Sequence, residues 1–214
     1  MRNLSHPRLL AFAYLLFAII CLSLFGCSTP SWYFGVGGKY NEAKTELMRP
    51  RGADLNRAIL SLESIVRENP TYRDSLTLLG MAYYHKARNE DAFQIITRAL
   101  AINREDEIAW LLLGLLQLRL GDHERGLESI KGGLTLMGRA MRDDSGYRGY
   151  SKWDPSGSVR LSLRRAVFSA TKGLEERENL VRATEALFRA IFNEEWFQVN
   201  RDRAIERRDT DLGN

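Results

Sequence analysis

The side chains most often used for metal binding or nucleophilic chemistry are few in this 214-residue chain and lie far apart along it. They are the histidines His6, His85 and His123 and the cysteines Cys21 and Cys27. His85 and His123 have no histidine or cysteine at the paired spacing of a metal site, and no catalytic triad can be assembled around them. The sequence therefore predicts no catalytic residue, no metal site and no cofactor, and we expect a protein that is not an enzyme.

Cys27 differs from the other candidates because of the segment that precedes it. Arg2 and Arg8 form a short positive start, and Leu9 to Phe25 is then a nearly unbroken apolar run. This composition is typical either of a signal-peptide core or of a short, uncleaved signal anchor.

Leu24-Phe25-Gly26-Cys27 resembles the bacterial lipobox, with an aliphatic residue three positions before the cysteine and a small residue directly before it. The resemblance implies that residues 1–26 are a lipoprotein signal peptide and that the Cys27 sulfur carries the lipid. Ser28 in place of aspartate implies sorting to the outer membrane, with the protein facing the periplasm. The alternative is an inner-membrane protein held by an uncleaved anchor. We assign residues 27–38, which include the glycine-rich Gly35–Lys39, to a flexible tether.

An internal repeat begins further along the chain, where residues 73–106 align with 107–140 without a gap. The pattern Leu76-x2-Leu79-Gly80-x2-Tyr83, followed by Ala92, Ile96 and Ala99, resembles the tetratricopeptide repeat. Identical residues recur in the second segment: Leu78, Leu79, Gly80, Glu90, Ile96 and Leu100 match Leu112, Leu113, Gly114, Glu124, Ile130 and Leu134.

This resemblance implies an all-α fold, a short solenoid of helical hairpins in which each repeat packs on its neighbours. The repeat region is 39–140, with a degenerate repeat at 39–72 before the repeats at 73–106 and 107–140. Asp54 is the predicted N-cap of the second helix in the degenerate repeat. After the repeats we expect a loop at 141–158, capping helices at 159–207 and a tail at 208–214. Asp154-Pro155 is predicted to start the first capping helix, and Gly173 to end it in the left-handed conformation.

In the tetratricopeptide family a partner binds in a groove lined by the first helix of each repeat. Residues 107–120 are apolar almost all the way round, so something must cover them: either the chain's own C-terminal helices or a partner helix or peptide. The resemblance places ten residues in this groove: Thr77, Met81, Tyr84, His85, Leu111, Leu115, Leu118 and Arg119, together with Asp74 and Ile108.

The loop from Tyr147 to Trp153 interleaves aromatic and basic residues, and it either binds a ligand or packs back on the domain.

The charge balance is only weak evidence for a nucleic-acid or anionic-lipid partner, since 31 basic and 27 acidic residues are mixed along the chain, and we expect no nucleic-acid partner. We therefore expect a membrane-anchored scaffold that mediates protein–protein interaction in a bacterial envelope assembly, such as a secretion, pilus or transport system. The alternative is an accessory lipoprotein subunit of a transporter that binds a small molecule or glycan. The identity of the partner and the oligomeric state stay open.

Overall fold

The computed structural model describes residues 35–49, 52–142, 147 and 153–212, with side chains described as far as Arg201. The predicted signal peptide, Cys27 and most of the predicted tether and loop lie outside these residues. The helices that follow form part of one compact unit, Val36–Asn214. They are α1 (Val36–Met48), α2 (Leu55–Glu68), α3 (Ser75–His85), α4 (Asn89–Ile102), α5 (Glu107–Arg119), α6 (His123–Ala140), α7 (Ser158–Thr171), a short 3-10 helix (Gly173–Glu176) and α8 (Arg177–Leu212).

The first six helices form three hairpins, in which α1 packs on α2, α3 on α4, and α5 on α6. The second helices of the hairpins begin at Leu55, Asn89 and His123, so they keep the spacing of the sequence repeat throughout. The hairpins also pack on one another in chain order, α2 against α3 and α4 against α5. The predicted all-α fold with a solenoid-like arrangement of helical hairpins is confirmed.

Aspartate side chains fix where two of these helices begin. Asp54 accepts a hydrogen bond from the backbone N–H of Arg57 at 3.0 Å, and Asp106 accepts one from Ala109 at 2.9 Å. Each bond satisfies an amide that has no partner within the first turn of its helix. The predicted cap at Asp54 is therefore confirmed, and Asp106 has the same role in α5.

Helix α1 begins at Val36, earlier than predicted and inside the segment assigned to the tether. The helix starts earlier because it packs on its neighbours through Tyr40 and Ala43, which are 3% and 1% exposed. Tertiary packing of this kind stabilises a helical turn that the glycines at 37 and 38 alone would disfavour.

A buried carboxylate caps the first helix after the hairpins. Asp154 accepts hydrogen bonds from the N–H groups of Val159 and Arg160, both at 2.9 Å, and thereby caps α7. Gly157, with φ of 74°, makes the turn into that helix. Gly173, with φ of 67°, follows the helix in the left-handed conformation, as predicted.

The last helix, α8, extends to Leu212, beyond the predicted end at residue 207 and into the segment assigned to a tail. It packs on α7 and also contacts α1 and α5. Its apolar side includes the buried residues Leu180, Leu187, Phe188 and Ile191. Among the described helices, none has the length and apolar character needed to cross a membrane.

Candidate partner-binding cleft

The first helices of the three hairpins, α1, α3 and α5, form what we call the inner face, and α8 lies along it. Lys44 of α1 pairs with Glu195 of α8 at 3.5 Å. Glu185 of α8 accepts hydrogen bonds from the Tyr84 hydroxyl of α3 at 2.7 Å and from Arg119 of α5 at 3.1 Å. The sequence left open whether the chain's own C-terminal helices or a partner would cover this face. In the structure the chain's own C-terminal helix, α8, covers it.

The three leucines predicted to line the groove lie in the core instead. Leu111 and Leu115 are 0% and 1% exposed, and Leu118 is 6% exposed. Leu111 and Leu118 pack against the second helix of their own hairpin, where Gly133 and Gly126 leave room for them. The expectation that these leucines face an open groove does not hold, because the same helix face packs on α6 and within the core.

Thr77 is also removed from an open surface. It is buried, and its hydroxyl donates a hydrogen bond of 2.6 Å to the carboxylate of Asp106, the residue that caps α5. The threonine therefore joins α3 to the start of the next hairpin, which is a structural role.

Four of the remaining six predicted groove residues, Met81, Tyr84, His85 and Arg119, meet in one opening beside α8, which we call the α3–α8 cleft. The cleft has a volume of about 390 Å³. Met81 and Tyr84 are buried at its base, whereas His85 is exposed and Arg119 is about one-third exposed. The lining residues are Met81, Tyr84, His85, Ala87 and Arg119 from the hairpins, and Glu185, Phe188, Arg189 and Phe192 from α8.

Charge in the α3–α8 cleft is arranged around Tyr84. The Arg119 guanidinium lies 3.7 Å from the centre of the Tyr84 ring, and Glu185 binds both groups. The cation and the carboxylate therefore largely neutralise one another. Arg189 is exposed at the rim, and no acidic residue in the described part of the chain forms an ion pair with it. The cleft consequently combines an apolar base with a positively charged rim.

Burial raises the pKa of Tyr84, and the hydrogen bond to Glu185 raises it further, while the charge of Arg119 acts in the opposite direction. Tyr84 therefore stays a neutral hydrogen-bond donor. His85 has an accessible surface, yet crowding of its imidazole by protein atoms lowers its pKa. The charge of Glu185 opposes that effect and the charge of Arg119 adds to it. The His85 side chain is thus held mainly neutral at pH 7.

Sequence reasoning did not identify the residues that α8 contributes to the cleft: Glu185, Phe188, Arg189 and Phe192. The sequence predicts a capping helix over this segment, but the prediction does not indicate which part of the hairpin array the helix would meet. The sequence therefore contains no pattern from which Phe188 or Arg189 could be predicted to line the same opening as Tyr84.

The loop aromatics pack back on the domain. Tyr147 and Trp153 are 6% and 7% exposed, and their ring centres are 5.0 Å apart. The Tyr147 hydroxyl also donates a hydrogen bond to the carboxylate of Glu107 at the start of α5. The sequence left open whether this loop binds a ligand or packs on the domain. The burial of Tyr147 and Trp153 supports packing on the domain.

The remaining candidate for chemistry, His123, lies near the start of α8. Its Nε2 is 2.8 Å from a guanidinium nitrogen of Arg177. Within the described ranges, no group of three or more histidine, cysteine, aspartate or glutamate side chains is placed to hold a metal ion.

Comparison with known proteins gives limited information. No protein-family model matches the chain, and no curated protein matches it. Among solved structures, the crystal structure of MamA is similar, with 21% sequence identity and a TM-score of 0.46 over 76% of this chain and 80% of that chain. The likeness is too weak to carry an argument, so the fold and the cleft rest on this chain's own geometry.

Proposed function

We propose that this chain is a non-enzymatic scaffold that binds a segment of a protein partner in the α3–α8 cleft. One observation carries the proposal: Met81, Tyr84, His85 and Arg119, which the repeat resemblance placed in a partner groove, converge on an opening of about 390 Å³ beside α8. Leu111, Leu115 and Leu118 of the predicted groove lie in the core.

The chemistry of the cleft defines the segment that would fit. Phe192, which is partly exposed, offers an aromatic surface for one large apolar side chain, and the buried Met81 and Phe188 line the cleft behind it. Arg189 at the rim would attract an acidic group on the same segment. We therefore expect a partner peptide that carries an aromatic or aliphatic anchor beside an aspartate, a glutamate or a free carboxyl terminus.

The proposed scaffold is held at a membrane of the bacterial cell envelope by a lipid on Cys27, at the outer membrane and facing the periplasm. The lipobox-like residues 24–27 and Ser28 support this part of the proposal. The chain from Cys27 to the start of α1 at Val36 spans at most about 30 Å when fully extended. Such a tether would keep the cleft close to the membrane, where an envelope assembly would meet it.

Metabolic labelling with a palmitate analogue tests the anchor. We expect the wild-type chain and Cys21→Ala to incorporate the label and Cys27→Ala to lose it. Equal labelling of Cys27→Ala would contradict lipid attachment. Retention of the uncut N-terminal segment in the inner membrane would favour the signal anchor instead.

Photocrosslinking from position 85 tests the cleft. A benzophenone amino acid replaces His85 in the full chain expressed in its native host, and a matched probe replaces Leu60, which is 67% exposed on α2. We expect a discrete protein adduct from position 85 that is absent from position 60. Arg189→Glu should abolish the adduct, whereas Arg98→Glu, the same charge change on the exposed side of α4, should not. An adduct that is indifferent to Arg189→Glu would contradict binding in the cleft.

A second candidate is supported by the size of the cleft, since about 390 Å³ lies in the range of small-molecule sites. In that case the chain would be an accessory ligand-binding subunit of a transporter. Native mass spectrometry separates the two functions. A bound small molecule or glycan that is lost in Arg189→Glu, without a protein adduct at position 85, would favour the second candidate.

A further inference from the structure

Helix α7 presents an exposed surface that the proposed function does not use. Phe168 is 63% exposed, Leu161 is 49% exposed and Val167 is 43% exposed. The opposite side of α7 is buried through Val159, Ala166 and Ala170. The exposed apolar residues therefore belong to the outer side of a helix whose core side is already satisfied.

Basic residues surround these apolar side chains. Arg164 and Arg165 both lie between Leu161 and Phe168 along the helix, one on each side of them, since residues three and four apart share one side of a helix. Lys172 follows, with its ammonium group 5.3 Å from the centre of the Phe168 ring. We call Leu161, Arg164, Arg165, Phe168 and Lys172 the α7 stripe.

Acidic residues do not offset this charge within the helix. The sequence of α7, SVRLSLRRAVFSAT, contains three arginines and no aspartate or glutamate. Asp154, just before the helix, is fully buried against the α7 amides, and Glu175 and Glu176 begin only in the 3-10 helix after it. The α7 stripe is thus positive along its whole length, with Arg164 and Arg165 exposed.

We propose that the α7 stripe binds the surface of an anionic lipid bilayer, with Phe168 and Leu161 inserted among the headgroups and the basic side chains paired with lipid phosphates. Charge complementarity and the mixture of side chains carry the inference. Aromatic and aliphatic residues flanked by arginine and lysine are characteristic of helices that lie in the membrane interface.

The arrangement favours a bilayer over an acidic protein partner. The stripe has five side chains, of which Phe168 and Leu161 are apolar, whereas a stable protein interface takes about 20–30 residues from each partner. A bilayer needs no matching groove, because its headgroups rearrange around side chains that stand out from a helix. Lys131 on α6, beside a small cleft that it shares with Val167, extends the positive surface.

The size of the effect follows from the charges. Each basic residue near an anionic bilayer strengthens binding roughly fivefold. The stripe by itself would bind reversibly, and it would orient the hairpins and the α3–α8 cleft relative to a membrane. Membrane binding by the α7 stripe requires neither a lipid on Cys27 nor a partner in the cleft. If the stripe does not bind a membrane, the proposed scaffold function is therefore unaffected.

A lipid photocrosslinking experiment with the full chain tests the inference. The chain is reconstituted into phosphatidylcholine vesicles with or without phosphatidylglycerol, with a benzophenone amino acid in place of Phe168 or, as the control, of Leu60 on α2. Mass spectrometry reports lipid adducts at each position. We expect several times more lipid adduct at position 168 when phosphatidylglycerol is present, a decrease at high salt, and no such dependence at position 60.

Charge variants complete the test. Arg164→Glu combined with Arg165→Glu should lower the adduct at position 168 by about tenfold or more, whereas Arg164→Lys with Arg165→Lys should keep it. Circular dichroism checks that both double variants keep their helices. The proposal is overturned if phosphatidylglycerol has no effect, if the glutamate variant labels as well as the lysine variant, or if the probe at 168 captures a protein rather than lipid in cells.

Discussion

Single glycines decide how closely the helices of a hairpin approach. In the second hairpin Gly80 faces Ala92, and a Cβ added at Gly80 would lie 3.7 Å from the Ala92 carbonyl oxygen. In the third hairpin glycine stands on both helices, and a Cβ added at Gly114 would lie only 2.7 Å from the Gly126 carbonyl oxygen. The repeat alignment makes Gly80 and Gly114 equivalent, but the second glycine draws the backbones about 1 Å closer.

We therefore predict that Gly114→Ala is more destabilising than Gly80→Ala. At Gly80 the new methyl group meets side-chain atoms of the buried Ile96 and no backbone atom closer than 3.7 Å, so the helices can keep their spacing while that side chain repacks, at about 1–2 kcal/mol. At Gly114 it meets backbone atoms of α6, so the helices must separate, at about 3 kcal/mol or more. Urea denaturation measures both. Gly132→Ala, at an open position in α6, is the control and should be neutral or slightly stabilising. Equal losses at positions 80 and 114 would contradict the difference in helix spacing.

The side chain of Asp154 has a similarly local effect on α7. Asp154→Ala removes both carboxylate bonds to the Val159 and Arg160 amides, and we predict a loss of about 1–2 kcal/mol of stability by thermal or urea unfolding. Asp122, which precedes α6 without a side-chain cap bond, provides the comparison. Asp122→Ala should cost less than about 0.5 kcal/mol, and a comparable loss in the two variants would argue against the cap at Asp154.

At the scale of elements, α8 is the helix on which the arrangement of the others depends. It buries Leu187 and Ile191 completely and contacts α1, α5 and α7. The hairpins alone would leave their inner face without a cover, and an apolar face of that kind favours aggregation.

Leu187→Ala should therefore cost about 3 kcal/mol, as for other fully buried leucines, and should raise the binding of a hydrophobic dye. Phe197→Ala, on the same helix but 51% exposed, should change stability by less than about 1 kcal/mol. Urea titrations of the two variants make the comparison. A small loss for Leu187→Ala would mean that α8 is not packed as the structure has it.

The hairpins could be predicted from sequence because their determinants are local and periodic. Gly80 with Ile96, and Gly114 with Ile130, recur at the same positions of the repeat and pack together as expected. The position of α8 could not be predicted in this way, because the contact of Glu185 with Tyr84 joins residues 101 positions apart. The start of α1 at Val36 was missed for the same reason, since long-range packing stabilises its glycine-rich first turn.

For the whole molecule, this placement of α8 changes where a partner can bind. The repeat resemblance predicted a groove along α3 and α5, whereas α8 occupies the inner face and leaves the α3–α8 cleft between Tyr84, Arg119 and Phe188. Four of the ten predicted groove residues therefore remain candidates for binding in this cleft, and the buried leucines become part of the core. The candidate site exists only because α8 is docked.

A double-mutant cycle between Tyr84 and Glu185 tests the docking of α8 most directly. Tyr84→Phe and Glu185→Ala are measured singly and together by urea denaturation, with Glu178→Ala, on an exposed part of α8, as the control partner. Because the two side chains share a hydrogen bond of 2.7 Å, we predict a coupling energy of about 1 kcal/mol, and none between Tyr84 and Glu178. A coupling of zero between Tyr84 and Glu185 would contradict an inner face closed by the chain's own last helix.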